Sequence, residues 1–192
     1  KNVKTDLPSS NMDMEFECVN SLQETKWKVN TKVLDVMEKA WEQGRIIGSM
    51  PDRNEMELPP RDFPKDLKKQ DMDEETKLKF KAWKVKATQV YEENIRRKSQ
   101  ILQFMRTLNL AGKFKDFDQI YFPYQADFRG RKYTVSSFLT PQGTEYAKSL
   151  LTFGEGLPIE NQEQADWLAI HGANCAGVDK VSFAERIQWV LD

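Results

Sequence analysis

The sequence has 192 residues, 39% of them hydrophobic, which is enough for one ordinary domain or two small ones and excludes a disordered tail. Its 29 basic and 30 acidic residues nearly balance, so the charge of the whole chain gives no argument for a nucleic-acid or membrane partner. No apolar run approaches the roughly 20 residues that span a bilayer, and the start lacks the apolar core of a secretory signal, which predicts a soluble protein.

The first predicted elements are a short extended stretch at 27–29 and a helix that follows it. Asn30 or Thr31 is the expected cap, and Gly44 is the expected end. The apolar residues Leu34, Met37 and Trp41 share one helical face. Residues 46–71 hold half of the eight prolines, which predicts a loop or linker.

A long helix is predicted next, because apolar residues step by three and four from Phe80 to Leu108 after a cluster of acids at 71–75. We expect about 30 residues, roughly 45 Å, ending near Gly112. Basic residues dominate between Lys79 and Lys115, where only Glu92 and Glu93 are acidic. Two interpretations stay open, a solvated helix face and a face that follows a phosphate backbone.

A β-hairpin is predicted around residues 127–131, DFRGR, because the aromatic and β-branched stretches IYFPY and KYTVSSF flank it. Arg129 and Arg131 would project from its tip, where their planar guanidinium groups match phosphate oxygens. Gly130 would let the backbone approach a ligand, and Asp127 would hold a guanidinium or accept from a hydroxyl. Tyr133 adds an aromatic surface for a sugar or base. On spacing alone, an Asp–Arg pair that only locks the turn is the better interpretation.

Three further helices complete the prediction. The first is capped by Thr144 and ended by Gly154 and Gly156, and the second covers 161–177. The third begins at Ser182, which forms a capping box with Glu185. The chain is therefore predicted to be α+β and mostly helical.

Other reactive or aromatic residues have simpler interpretations. His171 and Cys175 fit packing better than catalysis, and Asp116 and Asp118 fit a solvated linker better than a metal site. The two cysteines have no disulfide or zinc spacing, which favours a reducing, cytoplasmic setting. The five tryptophans are predicted to lie in the core: Trp27, Trp41, Trp83, Trp167 and Trp189.

The segment YFPYQADFRGRKYTVSSFLTPQG resembles the D-x-x-G-R region of the bacteriophage-type single-subunit DNA-directed RNA polymerases. SLQETKWKVNTKVLDVME, LTFGEGLPI and HGANCAGVDKVSFAERI are similar to other parts of the same family. The resemblance runs from Glu17 to Ile187, is weakest in the proline-rich loop, and is closer to phage than to organellar enzymes. The chain departs from the family at Phe128, where tryptophan is common, and at Lys132, where an apolar residue is common.

The resemblance implies a fragment of a right-hand polymerase with a long thumb helix and a palm β-hairpin. Residues 1–70 would be the end of the N-terminal domain and a linker, 71–115 the thumb, 116–157 the start of the palm, and 158–192 part of a palm insertion.

The resemblance also implies roles for single residues. Those implied for template and phosphate binding are Asp127, Arg129, Gly130, Arg131, Tyr133 and Lys148, with Asp127 as organiser and Tyr133 against the template nucleotide. Basic thumb residues implied to face the RNA–DNA hybrid are Arg96, Arg97 and Lys98.

The implied activity is template-dependent RNA synthesis from NTPs. Mg²⁺ would be held by palm aspartates beyond Asp192, so this chain would contain no catalytic or metal-binding residue and would be inactive alone. Implied partners are the DNA template, the nascent RNA and NTPs, for a monomer without membrane contact in the cytoplasm of an infected bacterium. The alternative is a stand-alone, non-catalytic helical module that binds nucleic acid or a partner protein.

Overall fold

The computed structural model describes residues 11–64 and 72–192. The first ten residues of the predicted N-terminal segment, and the part of the predicted linker at 65–71, lie outside the described residues. The elements in chain order are α1 Asp13–Gln23, β1 Trp27–Val29, α2 Thr31–Glu42, α3 Glu74–Phe114, β2 Tyr124–Ala126, β3 Lys132–Thr134, α4 Glu145–Ser149, β4 Leu151–Phe153, α5 Gln162–Cys175 and α6 Phe183–Leu191. The predicted class, α+β and mostly helical, is confirmed.

The chain forms two compact units, Lys1–Gly154 and Glu155–Asp192. Across the part of the chain that is described, no helix is both long and apolar enough to cross a bilayer.

Helix α2 begins and ends as its sequence predicts. The Asn30 side chain accepts a hydrogen bond from the Val33 amide at 3.3 Å, which satisfies one of the otherwise unpaired amides of the first turn. After the helix, Gly44 adopts a φ of +68°, a conformation that glycine accepts without steric cost.

Helix α3 is 41 residues long, so the predicted length of about 30 residues was wrong. Asp73 caps it, accepting from the Thr76 amide at 2.8 Å. Its first turns are held by exposed Lys–Glu pairs, such as Lys79 with Glu75 at 2.6 Å, instead of by apolar packing. An apolar pattern that starts at Phe80 therefore misses these turns. At 1.5 Å per residue the helix spans roughly 60 Å.

The predicted helix from Thr144 to Gly154 was also wrong. Helix α4 stops at Ser149, and β4 pairs antiparallel with β1 in the register Trp27↔Phe153 and Val29↔Leu151. The short stretch Leu151–Phe153 can satisfy its backbone on a strand far away in the sequence, which overrides its helical pattern. The Thr144 hydroxyl makes no capping bond.

The core of the first unit forms where α2, α3 and α4 meet. Phe104 is fully buried, with ring centroids 4.9 Å from Trp41 and 5.1 Å from Tyr146. Leu34 and Leu150 are buried beside it. Because these side chains come from three elements, the core fixes the C-terminal half of α3 against the rest of the unit.

The tryptophan prediction holds only in part. Trp27 and Trp41 pack against the core of the first unit, and Trp83 is half-buried outside it. Trp167 and Trp189 in the second unit are 54% and 49% exposed, so their placement in a core was wrong. Two short helices have too little volume to surround an indole ring.

The second unit consists of α5 packed against α6, with Ile170 and Ala173 buried. Ser182 and Glu185 form both bonds of the predicted capping box. The Arg186 guanidinium donates to the Asn174 side chain at 2.9 Å and to the Asp179 carbonyl at 2.8 Å, which ties α6 to the end of α5.

Candidate nucleic-acid interface

The predicted hairpin is present, with β2 and β3 antiparallel in the register Tyr124↔Thr134 and Ala126↔Lys132. Its turn is closed by the Asp127 amide, which donates to the Arg131 carbonyl at 2.8 Å. Gly130 has a φ of +80°, a conformation in which a Cβ is strained. The sequence therefore specifies both the strands and the turn between them.

The Asp127 carboxylate organises this turn through the backbone. Its Oδ1 accepts from the amides of Arg129 and Arg131, each at 2.9 Å. The expected partners, a guanidinium or a hydroxyl, are replaced by these two amides. An Asp–Arg pair does lock the turn, but it joins Asp127 to the backbone of Arg131 and leaves both guanidinium groups outside the turn's hydrogen bonds.

The two arginines of the turn are exposed, and neither forms an ion pair within the described ranges. The Arg129 guanidinium lies 5.0 Å from the ring centroid of Phe128, itself 88% exposed. An exposed guanidinium whose backbone is fixed can meet a phosphate oxygen without breaking an internal ion pair.

Tyr133 and Lys132 leave the strand in opposite directions. Tyr133 is 41% exposed opposite Gln125, and its ring lies on the other face of the hairpin from Lys132. The Lys132 ammonium donates a hydrogen bond to the Gly130 carbonyl at 3.1 Å.

Lys148, predicted to be a further phosphate contact, lies in α4 and pairs with Glu145 at 2.7 Å.

The three basic residues expected to face a hybrid are paired with acids. Arg96 and Arg97 both bond Glu93, and Arg97 also lies 3.1 Å from Asp52. Lys98 lies 2.8 Å from Glu55. Hydrogen bonds from Arg96 and then from Arg97 hold the pKa of Glu93 below its usual value.

Asp52 and Glu55 belong to residues 50–64, an irregular segment along α3 that we call the strap. Asn94 of α3 bonds Met56 of the strap in both directions, at 2.8 Å and 3.0 Å. Trp83 donates from Nε1 to the Pro59 carbonyl at 2.8 Å, and the Arg61 guanidinium lies 4.2 Å from its ring centroid. The strap therefore covers one face of α3, and the two acidic residues of the strap pair with basic residues of that helix.

A different face of α3 is exposed along its length. Its residues recur every three or four positions, are all exposed, and include no acid: Lys81, Lys84, Thr88, Tyr91, Ile95, Ser99, Leu102, Arg106, Asn109 and Lys113. We call this face the exposed stripe. Sequence reasoning missed it, although the spacing of its basic and apolar residues is readable in the sequence.

Comparisons with known proteins agree with the resemblance found in the sequence. The family described as DNA-dependent RNA polymerase matches residues 159–192. T7 RNA polymerase of Escherichia phage T7 is 42% identical over 177 residues, which is 91% of this chain and 19% of that protein. The DNA-directed RNA polymerase of Enterobacteria phage K11 is 41% identical over 91% of this chain and 18% of its own length.

An organellar relative, DNA-directed RNA polymerase 1, mitochondrial, of Arabidopsis thaliana, is 32% identical over 94% of this chain and 18% of its own length. The phage proteins are thus the more similar, as the sequence motifs indicated. The chain spans about a fifth of the length of the curated relatives it matches.

Proposed function

We propose that this chain, which matches a segment of the phage-type single-subunit RNA polymerases over 91% of its length, is part of an enzyme that makes RNA from NTPs on a DNA template. The second hypothesis, a stand-alone helical module without catalytic activity, is not favoured by a similarity that extends across almost the whole chain to named polymerases.

One observation carries this proposal for the chain itself: a hairpin turn whose carboxylate binds backbone amides and whose two guanidinium groups are exposed. Such a turn presents two guanidinium groups from a fixed backbone, an arrangement that suits bidentate recognition of phosphate. We assign Arg129 and Arg131 to template phosphate, Asp127 and Gly130 to the shape of the turn, and Tyr133 to a template nucleotide. Lys148 would bind phosphate in place of its ion pair with the exposed Glu145.

We assign 1–70 to the end of an N-terminal domain, 71–115 to a thumb, 116–157 to the start of a palm and 158–192 to part of a palm insertion. Helix α3 is then the thumb helix. Arg96 and Lys98 have 64% and 63% of their side chains exposed, so nucleic acid can compete for them, whereas Arg97 is only 25% exposed and stays with the strap. The exposed stripe offers further cations, Lys81, Lys84, Arg106 and Lys113, outside the acidic pairs.

Nucleotidyl transfer in such an enzyme would use Mg²⁺ to stabilise charge on the reacting phosphate. Within the described residues no group of three or more His, Cys, Asp or Glu side chains is placed to hold a metal. The resemblance places the metal ligands elsewhere in the enzyme, and we assign none to this chain. Its role is to hold nucleic acid. The proposed partners are template DNA, nascent RNA and NTPs, for a monomeric enzyme in the cytoplasm of an infected bacterium.

The test is the salt dependence of binding to a fluorescently labelled DNA template annealed to an RNA primer. Arg131→Ala should weaken binding and reduce the slope of log K against log salt concentration by about 0.7 to 0.9, the value of one lost phosphate contact. Arg45→Ala, at an exposed arginine beyond the end of α2, is the matched control and should leave the slope unchanged. Equal salt slopes for the two variants would show that Arg131 does not bind phosphate and would contradict the role proposed for the turn.

A further inference from the structure

The outer edge of β3 is held by one side chain from a later turn. Gln142 Oε1 accepts from the Thr134 amide at 2.8 Å, and Gln142 Nε2 donates to the Lys132 carbonyl at 3.0 Å. One primary amide therefore satisfies both a donor and an acceptor of β3, the strand that follows the turn at residues 127–131, which we call the arginine turn.

These two backbone groups face away from β2. Backbone bonds across the hairpin join Asp127 to Arg131 and Val135 to Pro123, so in the alternating antiparallel pattern the peptide groups of Lys132 and Thr134 turn outward. An outward N–H and C=O at a strand edge are normally left to water or to another strand. Gln142 supplies the hydrogen bonds that a third strand would make.

The turn that carries Gln142 is built to hold it there. The Gly143 amide donates to the Thr140 carbonyl at 3.1 Å, with Pro141 at the position of the turn where proline fixes φ. A Cβ on Gly143 would lie 3.0 Å from Thr140 Cγ2 and 3.1 Å from Ala147 Cβ, so a side chain there would crowd both neighbours.

A second contact joins the same turn to β3. The hydroxyls of Thr134 and Thr140 are 2.6 Å apart, and Thr140 is only 7% exposed. Between them, Phe138 has a φ of +67°, an uncommon conformation for a residue with a side chain, and Arg106 of α3 lies 5.3 Å from its ring centroid. Several contacts thus hold the segment between Thr134 and Gly143 in place beside β3.

We propose that Gln142 is a positioning residue for the arginine turn: its amide clamps β3 on the side opposite β2 and thereby fixes where Arg131 and Tyr133 stand. This inference rests on the proposed function, because it assigns Gln142 to the support of a phosphate-binding hairpin. Gln142 touches no phosphate in this role. It acts by holding the two peptide groups that flank Tyr133.

Gln142→Met in the full chain tests the clamp, because methionine keeps the length of the side chain and removes both hydrogen bonds. Gln125→Met, at an exposed glutamine on the paired strand, is the control. Hydrogen exchange of the Thr134 amide should become about tenfold faster in Gln142→Met and stay unchanged in the control, while the Leu108 amide in the core reports that the fold is intact.

The same variant should bind the template–primer duplex about fivefold more weakly than wild type with an unchanged salt slope, because every phosphate contact remains but is less well oriented. Faster exchange at Thr134 with wild-type affinity would overturn the inference, since the clamp would then hold the strand without serving binding. Unchanged exchange at Thr134 would overturn it as well.

Arg131→Ala separates this inference from the proposed function. If Arg131→Ala lowers affinity and salt slope but Gln142→Met changes neither exchange nor affinity, the positioning role alone fails. If Arg131→Ala binds like wild type, the phosphate role of the hairpin fails, whatever Gln142→Met does to the exchange of Thr134.

Discussion

The guanidinium of Arg97 lies 3.1 Å from the carboxylate of Asp52, in a contact between residues 45 positions apart. The same guanidinium donates to the Asn54 carbonyl at 2.7 Å. Arg97 therefore joins α3 to the strap through two partners, and its side chain is more enclosed than those of its neighbours Arg96 and Lys98.

The two strap ion pairs should differ in their effect on stability. Asp52→Asn should lower the free energy of unfolding by about 0.5 to 1 kcal/mol, because it removes a half-buried, charge-assisted hydrogen bond. Glu55→Gln is the matched control and should cost about 0.3 kcal/mol or less, since Lys98 and Glu55 are 63% and 61% exposed and water screens the pair. Urea denaturation measures both. A larger loss for Glu55→Gln would contradict this ranking.

Two glycine-to-alanine substitutions should change stability in opposite directions. Gly143→Ala should destabilise the chain by about 1 to 3 kcal/mol, because its new Cβ would crowd Thr140 and Ala147. Gly112→Ala should stabilise it by about 0.5 to 1 kcal/mol, because Gly112 lies inside α3 with open space around the Cβ position. Thermal unfolding of both variants checks this, and a stable Gly143→Ala would mean that the 140–143 turn tolerates a side chain.

The capping box of α6 should respond to pH. Hydrogen bonds from the Ser182 hydroxyl and amide hold the pKa of Glu185 below its ordinary value. Because the folded pKa is the lower one, the stabilisation is fully present above the ordinary glutamate pKa and is lost as the pH falls through the folded pKa. The α6 helix should therefore fray in acid.

An NMR titration of the Glu185 carboxyl group measures this effect. Ser182→Ala should raise the pKa of Glu185 toward its ordinary value, whereas Ser99→Ala, at an exposed serine of α3 in the other unit, should not. A pKa of Glu185 that is the same in wild type and Ser182→Ala would show that the box makes no contribution.

The helix caps and the hairpin turn are the features of this fold that could be predicted from the sequence. Asn30, Ser182 with Glu185, and Gly130 each act within a few residues of their own position, so their roles follow from residue type and spacing. The hairpin was predictable for the same reason. The Asp127 carboxylate was expected to bond a guanidinium or a hydroxyl, and sequence alone did not indicate the two backbone amides that it binds instead.

Contacts across long sequence distances could not be predicted in this way. The strand Leu151–Phe153 looks helical until its partner at Trp27–Val29 is known, and Arg96, Arg97 and Lys98 look free until the strap is placed beside them. Helix α1 was not predicted because it buries none of its residues and so has only a weak apolar pattern. Gln142 gave no signal, since an amide that binds a distant strand edge has no local signature.

The pairing of β1 with β4 sets an order of events during synthesis of the chain. The two strands are roughly 120 residues apart, so β1 leaves the ribosome long before its partner exists. At a synthesis rate of about 5 to 20 residues per second, on the order of ten seconds pass between the synthesis of β1 and that of β4. During that time α2 and the strap can already meet α3, and the closure of this small sheet comes late in folding.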